Sequence, residues 1–227
     1  MRHSFSLLPL VALLWLASHV PAGDKDVPAG FTRLFNGKDL TGWKTHGGDL
    51  KAWGVDNGVL YVAQPARQKP GSKDEPFWLM TEKEYGDFEL RLEFKLPASG
   101  NSGVALRAPL MGNPALQGME IQILDDNAPA YKNLLPDRYT GSIYGVVPPR
   151  KRVSKAAGEW NQFRIVCKGP KVTIEQNGTQ IVDADLDTLK EQHGKQHPGL
   201  LRRSGHLGVQ SHDGRVEFRN LLVKQLD

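Results

Sequence analysis

Three short stretches of this chain alternate apolar residues with side chains able to move protons or hold hydroxyl groups. Between Gly118 and Asp125, Met119, Ile121 and Ile123 fall on one face of a strand, and Glu120 and Gln122 on the other. Between His206 and His212, Leu207 and Val209 oppose His206, Gly208, Gln210 and His212. In the run from Val104 to Arg107, Val104 and Leu106 oppose Ala105 and Arg107. Were these strands neighbours in one curved sheet, Arg107, Glu120, Gln122, Gln210 and His212 would share a surface. A carboxyl and an imidazole can exchange protons with a ligand, and a guanidinium can hold developing negative charge. Two amides donate and accept together, as sugar hydroxyls require. Tyr144, Trp78 and Tyr139 could stack on the apolar side of a sugar ring. Solvation is the plain alternative for any one of these residues, but the clean apolar backs of the strands argue against it for the set.

Other chemistries find less support. A retaining glycosidase needs two carboxyl groups about 5–5.5 Å apart. Glu120 and Asp125 differ by an odd number, so a regular strand sends them to opposite faces, unless a bulge or the strand end redirects Asp125 as a ligand. The seven His are scattered with no metal-ligand spacing, and no metal residue is assigned. No cofactor is expected with assurance. Asp125-Asp126-Asn127 offers oxygens to Ca²⁺ or another divalent ion, although a turn is the simpler reading. Neither a Gly-rich phosphate loop nor a Gly-x-Ser-x-Gly elbow occurs. Cys167, the one cysteine, sits in an apolar run and reads as a small buried hydrophobe, so no internal disulfide can form.

The elements that would position these residues are strands. The 24 Gly and 15 Pro punctuate short runs rich in β-branched and aromatic residues, the signature of an all-β sandwich or barrel. Phe88 to Leu96 alternates apolar and charged residues without a break. Asp56-Asn57-Gly58 and Asn177-Gly178 predict tight hairpins, the second joining Lys171–Gln176 to Thr179–Ala184. Phe163 to Lys168 precedes that hairpin, and two last strands flank Asp213-Gly214. Leu186 to His193 predicts a short helix ending near Gly194. Gln64 to Pro76 and Asn127 to Tyr139 read as long loops.

Lys and Arg total 29 against 25 Asp and Glu, with the basic cluster confined to Arg150-Lys151-Arg152, which argues against a nucleic-acid partner. At the front, Arg2 and His3 precede an apolar run from Phe5 to Ala17. That run is too short to span a bilayer, and Val20-Pro21-Ala22 supplies small residues for cleavage. Residues 1–22 are therefore expected to be a signal peptide, and residues 23–227 one domain without a membrane span, secreted or periplasmic. The oligomeric state is not legible.

Ordered blocks along the chain resemble a known family. They begin with Gly30-Phe31-Thr32 and Leu34-Phe35-Asn36-Gly37-Lys38-Asp39-Leu40-Thr41-Gly42-Trp43, and continue with Leu79 to Leu90 and Asn101-Ser102-Gly103-Val104. Gly118 to Asp125, Thr140 to Gly145, Glu159-Trp160-Asn161, Gly205 to Gln210 and Phe218-Arg219-Asn220 complete the series. The family is that of the 3-keto-disaccharide hydrolases. The resemblance implies a concanavalin A-like jelly-roll β-sandwich of two antiparallel sheets, and action on glycosides whose sugar is oxidised at C3. A ketone there acidifies the C2 hydrogen, so one base, one acid and one stabiliser of the enolate suffice for elimination, with hydration following. The strand faces offer Glu120 or His212 as base or acid, Arg107 as clamp, and Gln122 and Gln210 as hydroxyl ligands. Direct hydrolysis fits the same residues. The competing class is a non-catalytic carbohydrate-binding module, which uses the same fold.

Overall fold

The computed structural model describes residues 27–66 and 77–227. The expected signal peptide and most of the Gln64–Pro76 loop lie outside them. The order is β1 (Thr32–Arg33), β2 (Trp43–His46), β3 (Trp53–Asp56), β4 (Val59–Val62), β5 (Phe77–Tyr85), β6 (Phe88–Lys95) and β7 (Asn101–Ala108). There follow α1 (Pro114–Gln117), β8 (Met119–Leu124), β9 (Trp160–Lys168), β10 (Lys171–Gln176), β11 (Thr179–Asp185), α2 (Leu186–His193), β12 (Gly205–Ser211) and β13 (Glu217–Gln225). No helix of the described residues is long and apolar enough to cross a membrane.

All described pairings are antiparallel and form two sheets. The larger runs β11-β10-β9-β6-β13-β4-β3, with β1 also on β13, and the smaller runs β2-β5-β12-β7-β8. This is a sandwich, one of the two architectures the sequence pattern allows, and the jelly roll that the family resemblance implies. Alternation decides which faces meet. Phe88, Leu90, Leu92 and Phe94 of β6 are buried on one face, while Arg91, Glu93 and Lys95 stay partly exposed on the other. They pack against Leu79, Val104, Leu106, Ile121, Ile123, Leu207 and Val209 from the smaller sheet. Phe94 and Phe163 lie with ring centroids 4.8 Å apart. Each such side chain stabilises the fold by roughly 1.5–3 kcal/mol on burial, and packing must suffice because Cys167 is free and buried. Burial pushes its thiol up to about 12, which keeps it protonated and inert.

Both Asn-Gly turns form as their types require, with φ of 49° at Asn57 and 50° at Asn177. The short helix is α2, capped by the Asp185 side chain on the Asp187 N–H.

Candidate active site

Strands β12, β7 and β8 are consecutive in the smaller sheet, so the three polar stretches do lie side by side. Their outward face carries a pocket of about 270 Å³ lined by Glu120, Gln122, Gln210, His212, Tyr144 and Asn101, with Asn113, Ala115 and Leu116 closing one end. The floor is made of small residues. Gly103 faces Gln122, Ala105 faces Glu120, and Gly208 faces Ala105 across the ladders. A Cβ on Gly103 would lie 2.1 Å from Glu120 Oε1, so the carboxyl rests directly on that glycine. The Asn113 side chain caps α1 by accepting from the Ala115 N–H at 2.9 Å, which sets the apolar end wall.

Glu120 is only 4% exposed. Burial pushes its carboxyl up to about 8, against smaller opposing effects of a Gln210 hydrogen bond and the Arg138 charge. At neutral pH it is therefore a neutral acid with a proton to give. Gln210 Oε1 is buried without a hydrogen-bond partner, while its backbone oxygen accepts from Ser102 Oγ at 2.6 Å. A buried acceptor of this kind is costly until a ligand hydroxyl reaches it. Gln122 donates from Nε2 to Asn101 Oδ1 at 3.1 Å.

His212 stands just past β12, and its Nδ1 lies 2.8 Å from Asp213 Oδ2. Donation from Nδ1 to that carboxylate selects the tautomer with the lone pair on Nε2, the arrangement that makes imidazole a base. Asp213 is tied to the start of β7 by reciprocal backbone bonds with Asn101, each 3.0 Å. The acid and the imidazole thus face one cavity from opposite edges of β7.

Five residues expected at the site or on its strand faces lie elsewhere. Arg107 is fully buried and does not line the pocket. Here β7 carries a bulge: Ala105 pairs with Gly208 but Ala108 with His206, and Arg107 adopts φ 50°. The bulge returns Ala108 to the pocket face, beside Trp78, Met80, Ala105 and Ala115. Arg107 instead donates to Gly86 O at 2.9 Å, Gly169 O at 2.8 Å and Asp87 Oδ1 at 2.9 Å. His206 lies beyond the same bulge, bonded to Thr81 O. Trp78 is opposite Gln210 in register but 1% exposed, so it packs rather than stacks on a ligand. Asp125 accepts from the Ser99 N–H at 2.8 Å and closes a turn. Tyr139 is likewise absent from the lining; its hydroxyl donates to the carbonyls of Tyr131 and Lys132.

Among the described residues, no three His, Cys, Asp or Glu side chains gather as ligands for an ion. Asp126 spends both oxygens on Thr140 and Ser154. A larger groove, about 670 Å³, crosses the outer face of the larger sheet. Its charges are matched within the sheet: Arg164 bonds Glu89 and Glu175, and Arg219 bonds Glu93. That is a solvated ion-pair ladder rather than a reactive site.

Asn101, Asn113 and Gly103 were missed from sequence. Extending the β7 alternation three residues back from Val104 would have placed Asn101 on the face of Gly103 and Ala105. Nothing local marks Asn113 beyond its place before Pro114 at a helix start.

A jelly-roll sandwich with a polar, ring-sized pocket on one sheet defines a carbohydrate-handling class of protein. The 3-keto-alpha-glucoside-1,2-lyase-like domain family matches residues 30–224, and the chain belongs to that family. It is similar to a 3-keto-disaccharide hydrolase of Bacteroides thetaiotaomicron, 28% identical over 87% of this chain and 79% of the relative. A candidate glycosyl hydrolase from Parabacteroides distasonis superposes with a TM-score of 0.72 at 30% identity, covering 86% of this chain and 99% of the other. A Bacillus subtilis protein with a galectin-like fold matches at TM-score 0.55 and 13% identity, over 86% and 94% of the two chains, a likeness of fold alone. The protein is an enzyme of the glycoside hydrolase or lyase type.

Proposed function

We propose that this enzyme cleaves glycosides of a 3-keto sugar by elimination, with His212 as base and Glu120 as acid, after export from the cytoplasm. The observation that carries this reading is the pairing, in one pocket, of a protonated buried carboxyl with an imidazole oriented by a carboxylate. Among the described residues, Glu120 is the one carboxyl that lines the pocket, and none of them offers there the second carboxyl of the two-carboxylate route. The ketone makes the C2 hydrogen acidic. His212 takes that proton, and the electron pair moves toward the C3 oxygen as an enolate. The pair then returns to form the C1–C2 double bond as the C1–O bond breaks. Glu120 gives its proton to the departing oxygen, and water adds at C1 to release the free 3-keto sugar. Gln122, Gln210 and Asn101 hold the ring hydroxyls, and Tyr144 offers its face to the ring. Burial suits the carboxyl to the acid's role, and the Asp213 carboxylate orients the imidazole for the base's.

A substrate deuterated at C2 tests this directly. The expected result is a primary isotope effect on kcat/KM for a 3-keto glucoside, and no cleavage of the unoxidised sugar. Cleavage of both sugars at similar rates, with no isotope effect, would instead show direct hydrolysis.

The floor glycine supplies a second expectation. Gly103→Ala places a methyl group 2.1 Å from Glu120 Oε1, inside contact distance, so the carboxyl must shift by about the ångström that costs on the order of 10²-fold in rate. Turnover should fall by that order while the circular dichroism spectrum is unchanged. Wild-type turnover in this variant would show that Glu120 need not sit where it does.

A further inference from the structure

We propose that Arg138 is a positioning residue for this pocket: its guanidinium fixes the Tyr144 ring as a wall and sets a positive charge near Glu120. Arg138 closes a single 3-10 turn, Pro136–Arg138, in the irregular stretch between β8 and β9. Its Cζ lies 4.0 Å from the centroid of the Tyr144 ring, a stacked cation–π contact. The ring is anchored from its other end too, because the Tyr144 N–H donates to Glu120 O at 2.9 Å. Glu120, Tyr144 and Arg138 therefore form one connected wall.

The neighbouring residue makes room for this arrangement. Gly145 has φ +73°, and its N–H donates to Asp137 O at 3.0 Å. A Cβ there would lie 2.9 Å from His197 Nε2 and 3.3 Å from Arg138 Nη2. Only glycine lets the chain turn while the His197 and Arg138 side chains stay in place. The Asp137 carboxylate pairs with the same guanidinium, its buried Oδ1 3.6 Å from Arg138 Nε and without a hydrogen bond. Arg138 is felt on both sides, favouring the ionised form of Glu120 and the neutral form of His197. Glu120 shares the pocket with Tyr144 and with His212, which is paired to Asp213; Arg138 stands behind Tyr144 with Asp137 and His197 nearby. Of Glu120, Tyr144 and Arg138, the arginine alone combines a permanent charge with a flat surface for an aromatic ring.

The proposal rests on the reading of Glu120 as the proton donor, and its test needs no substrate. The carboxyl carbon of Glu120 is followed by NMR through a pH titration in protein labelled with ¹³C-glutamate, with Glu120→Gln assigning the resonance. Arg138→Gln should raise the midpoint, and Arg138→Lys should restore most of the shift. In turnover of a 3-keto glucoside, Arg138→Lys should raise KM more than it lowers kcat, because the charge stays and the flat stack is lost. An unmoved midpoint in Arg138→Gln overturns the proposal. A midpoint that moves in a protein with no activity on 3-keto sugars sustains it and discards the substrate reading instead. Should Arg138→Gln not fold, high salt on the wild type screens the part-exposed guanidinium, and the same rise or its absence decides.

Discussion

Glu120→Gln is expected to lower turnover of a 3-keto glucoside by about 10²–10⁴-fold, the usual worth of a positioned acid, and yet to stabilise the protein above pH 8. Both effects follow from one carboxyl that the fold holds neutral. Its ordinary value lies near 4.5 and burial raises it to about 8. Between those limits the unfolded chain gives up the proton and the folded chain keeps it. The stability tied to this group is full below about pH 4.5, declines as pH rises through the window, and is lost once pH passes about 8. Each unit of difference is worth about 1.4 kcal/mol, so the whole window spans several kcal/mol at most. Glutamine has the shape of the neutral acid and no proton to lose. Denaturant midpoints at pH 5, 7 and 9 should decline in the wild type and stay flatter in the variant, with the variant ahead at pH 9. An equal decline in both would remove Glu120 as the buried titrating group. The rate carries the same signature: as an acid, Glu120 makes kcat/KM fall above about pH 8, whereas as a base it would make it rise there.

The pocket was legible in sequence where strand alternation survives folding, and illegible where it does not. Glu120 and Gln122 keep their parity because β8 pairs with β7 in unbroken register from Asn101 to Leu106. Arg107 keeps none, because the bulge that follows reverses the sense of every side chain beyond it, and no residue type announced it. Trp78 sits in the run Phe77-Trp78-Leu79-Met80, which is apolar on both faces. Leu79 enters the main core while Trp78 and Met80 pack under α1 on the other side. A strand covered on both faces loses its period, and for that reason β5 could not be read from alternation. The Asn-Gly hairpins were plain because their signal is local. Arg138 belongs to a loop, where no periodicity relates a residue to a distant strand. Backbone bonds of Gly141, Ser142 and Tyr144 with Gln122 and Glu120 bring that loop to the site.

The largest stability effect is expected at Arg107, the residue whose charge pointed from sequence toward catalysis. Its side chain is 0% exposed, and the guanidinium ties the turn after β5 to the turn after β9 through Gly86 O, Asp87 Oδ1 and Gly169 O. Asp87 Oδ1 also accepts from the Gly169 N–H at 2.9 Å, and Arg202 Nε donates to Arg107 O at 2.8 Å. Three segments from both sheets thus meet on one side chain. Arg107→Met fills much of the volume but removes the donor from two carbonyls and from the part-exposed Asp87 carboxylate. Losing these three bonds from a fully buried charged donor costs about 3–5 kcal/mol, where an exposed pair such as Arg203–Asp187 contributes at most about 1 kcal/mol. For a domain of this size that is a fall in Tm of roughly 10 °C, while Arg203→Met should leave Tm nearly unmoved. The fraction of Arg107→Met that remains folded should keep the KM of the wild type for a 3-keto glucoside, because the guanidinium does not border the pocket. A variant with unchanged Tm and lost turnover would return Arg107 to the chemistry. The positive φ at this position sharpens the argument: an arginine held in the left-handed region is strained. The fold tolerates that strain because the bulge aims the only side chain here that is long enough, and carries donors enough, to join both sheets.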